Sequence, residues 1–121
     1  MIMTYHDKAA DIYNKLSQGK LMEAFEQYYD DHVVMIEADG RKREGKDANR
    51  KYEENFLGMI KEFHGMGIDA ITADEKNGIT SVESWMDITF QDGNRANLKQ
   101  VAVQRWQGDH IVEERFYNGA N

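Results

Sequence analysis

The sequence contains neither cysteine nor proline. Without cysteine, the chain can form no disulfide bond, no thiolate metal site and no thiol nucleophile, and this composition fits a cytoplasmic location. Without proline, the turns must depend on glycine, asparagine and aspartate. We therefore expect a cytoplasmic protein whose chain reversals occur at Gly, Asn and Asp.

Basic residues and long apolar runs are also scarce. Lys and Arg number 15 against 22 Asp and Glu, which gives a formal net charge of −7 at pH 7. Binding to nucleic acid needs basic side chains that displace counterions from phosphates, so we expect no nucleic-acid partner. The basic segment GRKREGK at 40–46 is interpreted as a solvated loop. No apolar run approaches the roughly 20 residues that span a bilayer, so we expect no membrane association.

The residues that are present suit a globular chain, with 40% hydrophobic and 31% charged residues among 121. This length predicts one domain over 1–121. Apolar residues at helical spacing predict three helices, at 4–17, 20–30 and from 46 to about 63. Thr4 followed by Asp7 is a helix-capping pattern, and the glycines of HGMGI are expected to end the third helix.

Most of the remaining chain favours β-strands. The predicted strands lie at 32–38, 67–75, 79–91, 96–107 and 110–118, and Asn77-Gly78 is a strong hairpin signal. The element order is therefore α-α-β-α-β-β-β-β. Helices that come first and a hairpin-linked meander that comes last predict an α+β domain, whose antiparallel sheet is covered on one face.

Several short motifs occur in this order and carry a family resemblance. They are Gly19 between the first two helices, Tyr29-Asp30-Asp31 before an apolar strand, Glu44-Gly45-Lys46-Asp47 at the third helix, and the closing hairpin Arg105-Trp106…Gly108-Asp109-His110-Ile111-Val112. In this arrangement the chain resembles the nuclear transport factor 2-like superfamily, in its SnoaL-like and ketosteroid isomerase-like branches. The resemblance implies a cone-shaped, curved antiparallel sheet wrapped around three helices, which enclose a pocket. It also implies a homodimer through the outer face of the sheet.

The resemblance implies which strand face lines the pocket, because it places Ala102 inward. Alternation along the strands then turns the following residues inward as well: Gln100, Gln104, Trp106, Val112, Glu114, Phe116, Asn118, Val82, Ser84, Met86, Ile88 and Phe90. The 79–91 strand agrees, since this face is its more apolar one. If the alternation is wrong by one residue, Asp87, Arg105 and Arg115 form the site instead.

Ketosteroid isomerases use a tyrosine, a carboxylate base and a protonated aspartate. In this sequence the tyrosine position falls on Ile12 and the aspartate position on Ala102. The base position falls on Ile36, or on Glu37 after a shift of one residue. The chain is therefore not expected to be a ketosteroid isomerase.

A SnoaL-like enzyme needs only an acid–base group in an apolar pocket, and Glu114 is the candidate catalytic residue. Burial would raise its pKa toward neutrality, as proton abstraction beside a carbonyl requires. The expected substrate-binding residues are Gln104, Asn118, Tyr52, Tyr13, Trp106, Met86 and Phe116. The predicted function is a cofactor-independent cyclase, isomerase or hydrolase that acts on a small apolar carbonyl compound.

Two alternatives remain open: a non-catalytic ligand carrier or sensor that uses the same pocket, and a dimeric interaction module that uses the outer face around Trp85, Arg115 and Tyr117. Glu37 is an alternative pocket carboxylate. The four histidines show no metal-ligand spacing, and no phosphate-binding loop is present, so no metal and no cofactor are expected.

Overall fold

The computed structural model describes residues 2–119, which form three helices and six strands. In chain order these are α1 (Tyr5–Ser17), α2 (Leu21–Tyr28), β1 (Tyr29–Ile36), β2 (Lys42–Glu44), α3 (Lys46–Met59), β3 (Ile60–Asp74), β4 (Ile79–Phe90), β5 (Arg95–Gln107) and β6 (His110–Tyr117). The predicted α+β class and the order of helices and long strands are confirmed. Among residues 2–119, no helix is long and apolar enough to cross a bilayer.

The first helix starts where the sequence predicts. Thr4 caps α1 by accepting a hydrogen bond from the Asp7 backbone N–H, while the Asp7 carboxylate accepts one from the Thr4 backbone N–H. These two bonds satisfy donors that an isolated helix end would leave open. The buried face of α1 is Ala9, Ile12 and Tyr13, and it packs with Ala24, Phe25 and Tyr28 of α2.

The strands form one sheet in the order β2-β1-β6-β5-β4-β3. Four of the five neighbouring pairs are antiparallel, and β1 lies parallel to β6. Parallel strands need a long connection, and α3 with strands β2 to β5 provides it between β1 and β6. The long hairpin of β3 and β4 contains three register shifts along β3. Such bulges bend a sheet, so β3 and β4 curve around the helices and leave a hollow beneath them.

The third helix is shorter than predicted, because it ends at Met59 and not near residue 63. The next residue already pairs in the sheet, with Ile60 opposite Phe90, and the Gln91 backbone N–H binds the Met59 carbonyl. Gly65 and Gly67, which were expected to end a helix, lie inside β3. The physical reason is packing, since the indole of Trp85 lies so close over Gly67 that a Cβ there would be 2.5 Å from its Nε1.

Two smaller differences concern strands. The basic segment at 40–46, interpreted as a loop, contains the short strand β2, which pairs with β1 at residues 34–36. In addition, β6 does not alternate strictly, because a register shift places Trp106 opposite Ile111 and Arg105 opposite Glu113. Ile111 is fully buried and lies opposite Trp106, whereas Val112 is half-buried and has no partner on β5, so the alternation that assigned Val112 inward is interrupted there. Beyond the shift, Glu114 is inward as predicted.

Candidate functional site

A cavity of about 230 Å³ lies between the helices and the concave face of the sheet. Its walls are mostly apolar and aromatic, and a few polar groups converge on it. It is lined by Ile12, Tyr13, Leu16, Leu21, Ala24, Phe25, Tyr29, Glu37, Arg43, Tyr52, Glu53, Phe56, Met66, Ser84, Trp85, Met86, Leu98, Gln100, Glu114 and Phe116. An apolar hollow with few convergent polar groups is typical of a small-molecule site.

Glu114 is the most deeply buried acid of the cavity, with 2% of its surface exposed. Its two carboxylate oxygens each accept one hydrogen bond, Oε1 from the Tyr29 hydroxyl at 2.7 Å and Oε2 from Gln104 Nε2 at 2.8 Å. Burial raises the pKa of Glu114 to about 7, and the two hydrogen bonds offset part of that rise. The carboxyl can therefore hold or release a proton near neutral pH.

Gln104 belongs to a chain of buried hydrogen bonds behind Glu114. The Trp106 indole N–H donates to Thr80 Oγ1 at 2.9 Å, and the Thr80 hydroxyl donates to Gln104 Oε1 at 2.7 Å. Thr80 and Gln104 are fully buried in the strand pair β4–β5, where they are direct cross-strand neighbours. The pairing of β4 with β5 therefore places the Thr80 hydroxyl beside the Gln104 amide.

Two tyrosines accompany Glu114. Burial and the nearby Glu114 carboxyl raise the pKa of both Tyr13 and Tyr29 above its ordinary value. The ring of Tyr29 stacks on Phe25, with centroids 4.9 Å apart. Both hydroxyls stay protonated at neutral pH. Tyr29 donates its proton to Glu114, so Tyr13 is the tyrosine that can donate a hydrogen bond to a ligand oxygen.

A second acid, the half-buried Glu53, lines the cavity from α3. Burial and the charge of Glu114 raise the pKa of Glu53 to about 7, while Arg43 lowers it. Glu53 shares a helix face with Asn49 and Phe56 at spacings of four and three residues. Asn49 anchors that face, because its buried amide binds the Gly45 carbonyl at 2.8 Å and the Arg43 carbonyl at 3.1 Å.

The more exposed part of the cavity wall carries an ion-pair cluster. Arg43 lies 3.4 Å from Glu37 and also 3.4 Å above the centroid of the Tyr52 ring. The Tyr52 hydroxyl is 3.4 Å from the other Glu37 oxygen, and Asn49 holds the Arg43 Nε–H at 3.1 Å. Arg43 therefore pairs with Glu37, and within residues 2–119 the other two cavity acids, Glu53 and Glu114, form no ion pair.

The predicted site residues separate into three groups. Glu114, Tyr13, Tyr52, Met86 and Phe116 line the cavity, and so does the alternative carboxylate Glu37. Gln104 lies behind Glu114 and contacts it without reaching the cavity.

Trp106 and Asn118 are placed elsewhere, contrary to expectation. The Trp106 ring packs against Tyr5 and Tyr28 in the helix core, with centroids 5.4 and 5.9 Å apart. Asn118 follows the end of β6 and is exposed, because the strand leaves the sheet before it could turn inward.

The alternative site on the opposite strand face does not form around the cavity. Asp87 is bound by Arg95 at 2.9 Å, and Arg105 by Glu113 at 3.1 Å, both in exposed ion pairs. Arg115 is exposed, and none of Asp87, Arg105 and Arg115 lines the cavity. Trp85, assigned to that outer face, does border the cavity, while its indole covers Gly67.

Sequence reasoning missed Glu53, Arg43 and the role of Tyr29, which entered as part of the Tyr29-Asp30-Asp31 motif. The helical spacing of Glu53 with Phe56 was a usable signal. Arg43 was hidden in the segment interpreted as a solvated loop. Within residues 2–119 no three His, Asp or Glu side chains form a group that could hold a metal ion.

Three helices against one face of a curved sheet, with a hollow between them, define the cone-shaped fold of the nuclear transport factor 2-like superfamily. Within it, the model of the SnoaL-like domain family matches residues 3–118. This match covers nearly the whole sequence, so the chain belongs to the SnoaL-like family.

Solved structures show the same fold. A proposed SnoaL-like polyketide cyclase from Mesorhizobium loti is 27% identical with a TM-score of 0.82, over 96% of this chain and 100% of that one. A proposed polyketide cyclase from Pseudomonas putida gives 14% identity and a TM-score of 0.79, over 99% and 95% of the two chains. A proposed isomerase from Bacillus subtilis gives 16% identity and a TM-score of 0.79, over 95% of this chain and 88% of that one. The last two similarities concern the fold alone, and a search of curated protein sequences finds no match.

Proposed function

We propose that this protein is a cofactor-independent acid–base enzyme that binds a small, largely apolar carbonyl compound in the cavity and uses Glu114 as its proton acceptor. The observation that carries the proposal is a fully buried carboxyl with a pKa of about 7, facing an apolar hollow of about 230 Å³. The SnoaL-like relative proposed as a polyketide cyclase supports this class of substrate.

The chemistry follows from the charges around the cavity. Glu114 takes a proton from the carbon beside the carbonyl, the C–H electron pair moves to form the enolate, and the negative charge develops on the carbonyl oxygen. The hydroxyl of Tyr13 is the donor proposed for that oxygen, because its raised pKa keeps it protonated. Returning the proton from Glu114 to another carbon completes an isomerisation. In a ring closure, the enolate carbon attacks a second carbonyl carbon of the same compound, the π electron pair of that carbonyl moves onto its oxygen, and Glu114 returns the proton to this oxygen.

Gln104 and Asn118 have no contact with substrate in this proposal. Gln104 acts on Glu114 from behind, and Asn118 lies outside the cavity. Tyr52 and the Arg43–Glu37 pair form the more exposed wall, where they would meet the polar end of a substrate.

Exchange of hydrogen for deuterium tests the proposal without knowledge of the product. A panel of apolar cyclic ketones and 1,3-dicarbonyl compounds is incubated with the protein in D₂O, and deuterium at the α-carbon is followed by NMR. We expect exchange with the native chain and at least a ~100-fold loss in Glu114→Gln, the usual size of a general-base contribution.

Glu113→Gln is the matched control, since this neighbour pairs with Arg105 on the outer face. It should exchange at the native rate. Equal exchange by Glu114→Gln and the native protein would exclude Glu114 as the base. Saturable binding of panel compounds without any exchange would contradict catalysis and favour a ligand carrier.

A further inference from the structure

The hydrogen bonds behind Glu114 run in a single direction. An indole N–H can only donate, so Thr80 Oγ1 must accept from Trp106. The Thr80 hydroxyl then has its own proton free for Gln104 Oε1. With its oxygen occupied, the Gln104 amide can present only its NH₂ group to Glu114 Oε2.

We propose that Trp106, Thr80 and Gln104 are positioning residues that lock the Gln104 amide with its N–H toward Glu114, so that the carboxylate form is favoured and protonation falls on Oε1. The chain acts through Glu114 and touches no substrate. This proposal rests on the proposed function only in that Glu114 accepts a proton.

The alternative amide orientation is disfavoured by the fixed donor at the start of the chain. If the Gln104 amide turned over, Thr80 Oγ1 could accept from its NH₂ through a second lone pair, but the Thr80 proton would lose the Gln104 oxygen as its acceptor. These groups are buried, so water cannot replace the lost bond. The Gln104 amide oxygen would also face Glu114, which is compatible only with a protonated carboxyl.

The two oxygens of Glu114 consequently differ. Oε2 faces an amide that can only donate in its locked orientation, so a proton on Oε2 would weaken that bond. Oε1 faces the Tyr29 hydroxyl, which can rotate from donor to acceptor when the carboxyl is protonated. The proton therefore resides on Oε1.

Other charged and titratable groups around Glu114 are unchanged in the Thr80 and Trp106 variants of the test. They are Tyr13 of α1, Tyr29 of β1, Glu37 after β1, Arg43 of β2 and Glu53 of α3. None of them forms a hydrogen bond with the Thr80 side chain, whose bonds go to Trp106 and Gln104. A Thr80 substitution therefore removes these hydrogen bonds and leaves the other groups around Glu114 in place.

A titration of Glu114 tests the role of these hydrogen bonds without any substrate. The protein is labelled with ¹³C at the glutamate side-chain carboxyl, and the Glu114 signal is identified by its loss in Glu114→Gln. Thr80→Val keeps the side-chain volume and removes the hydroxyl. We expect the pKa of Glu114 to rise by about half a unit to one unit, which corresponds to weakening one hydrogen bond to a charged group.

Thr80→Ser restores the hydroxyl and should restore the native pKa. The indole N–H signal of Trp106 should move in Thr80→Val and return in Thr80→Ser, which reports the first link directly. Thr89→Val is the matched control, since this β4 threonine contacts His64 away from Glu114. If Thr80→Val is poorly folded, Trp106→Phe removes the fixed donor and should raise the pKa in the same direction.

Tyr29→Phe tests the assignment of the oxygens. Because the Tyr29 hydroxyl can bond to either form of Glu114, its loss should move the pKa less than Gln104→Leu does. An equal or larger shift in Tyr29→Phe would overturn the assignment of Oε1. If the pKa of Glu114 is unchanged in folded Thr80→Val, the positioning role proposed for Trp106, Thr80 and Gln104 is wrong. This conclusion holds whether or not the native protein shows deuterium exchange.

Discussion

At the scale of single residues, two opposing effects set the pKa of Glu114. Burial disfavours its charge, and the hydrogen bonds from Tyr29 and Gln104 favour it. The resulting pKa of about 7 lies above the ordinary value of 4.5. A group that binds its proton more tightly in the folded state makes folding less favourable once it has to ionise.

The free energy of unfolding should therefore fall as pH rises from about 4.5 to about 7, and stay low above that range. The folded state holds more protons than the unfolded state between these values, which gives a negative slope. In Glu114→Gln we expect part of this loss, about 1 to 3 kcal/mol, to disappear. Urea unfolding at pH 5 and pH 8.5 measures it.

Glu53 contributes a second, coupled loss over the same pH range, because its pKa is also about 7. Glu114→Gln should accordingly keep some slope, and the double variant with Glu53→Gln should have the least. Glu113→Gln, in an exposed ion pair, serves as the control with the native slope. A Glu114→Gln protein with the full native slope would contradict the assigned pKa.

At the scale of elements, the strand β3 decides the shape of the cavity. Its register shifts curve the β3–β4 hairpin, and Met66 on its inner face lines the hollow. Gly67 on the other face leaves room for the indole of Trp85, to which it is directly paired. The absence of a side chain at residue 67 is thus a packing requirement between neighbouring strands.

Gly67→Ala should lower the free energy of unfolding by about 1 to 3 kcal/mol, since the new Cβ would lie 2.5 to 2.8 Å from three atoms of the Trp85 indole. Thermal or urea unfolding measures this change. Gly58→Ala in α3 is the matched control, because no atom lies within 4 Å of its added Cβ. That control should be neutral or stabilise by up to about 1 kcal/mol, and a neutral Gly67→Ala would show that the indole moves freely.

At the scale of the whole molecule, the outer face of the sheet remains available for a partner. Tyr117 is 51% exposed there, and Val101 and Val103 are directed away from the buried Ala102 between them. Acidic and basic side chains alternate around these residues, as in the Arg105–Glu113 pair. Such a face is complementary to itself, and we propose that two copies of the chain associate through it.

Light scattering after size-exclusion chromatography should give twice the chain mass of 14.0 kDa. Tyr117→Lys should shift the protein to the single-chain mass, because it places a charge within the apolar part of the interface. Leu57→Lys, exposed on α3 away from the sheet, should leave the mass unchanged. A native protein of 14.0 kDa at micromolar concentration would exclude the dimer.

The sequence by itself determined the element order and most of the inner face of the sheet. Helical spacing with the Thr4 cap defined α1. Alternation, counted from the Ala102 position that the family resemblance places inward, predicted that Val82, Ser84, Met86 and Glu114 point inward. These features depend on neighbours in the chain or on a two-residue period, so they can be read locally.

Tertiary structure alone decided where α3 ends, how β6 shifts register and which polar groups surround Glu114. The helix ends at Met59, whose carbonyl accepts a hydrogen bond from Gln91, more than thirty residues later in the chain. Gly67 lies in a strand, where the indole of Trp85 packs so closely over it that a side chain would not fit. Glu53, Arg43 and Tyr29 come from three separate elements. Glu114 and Glu53 are removed from solvent only after the helices close over the sheet, and this burial is what raises the pKa of the two acids.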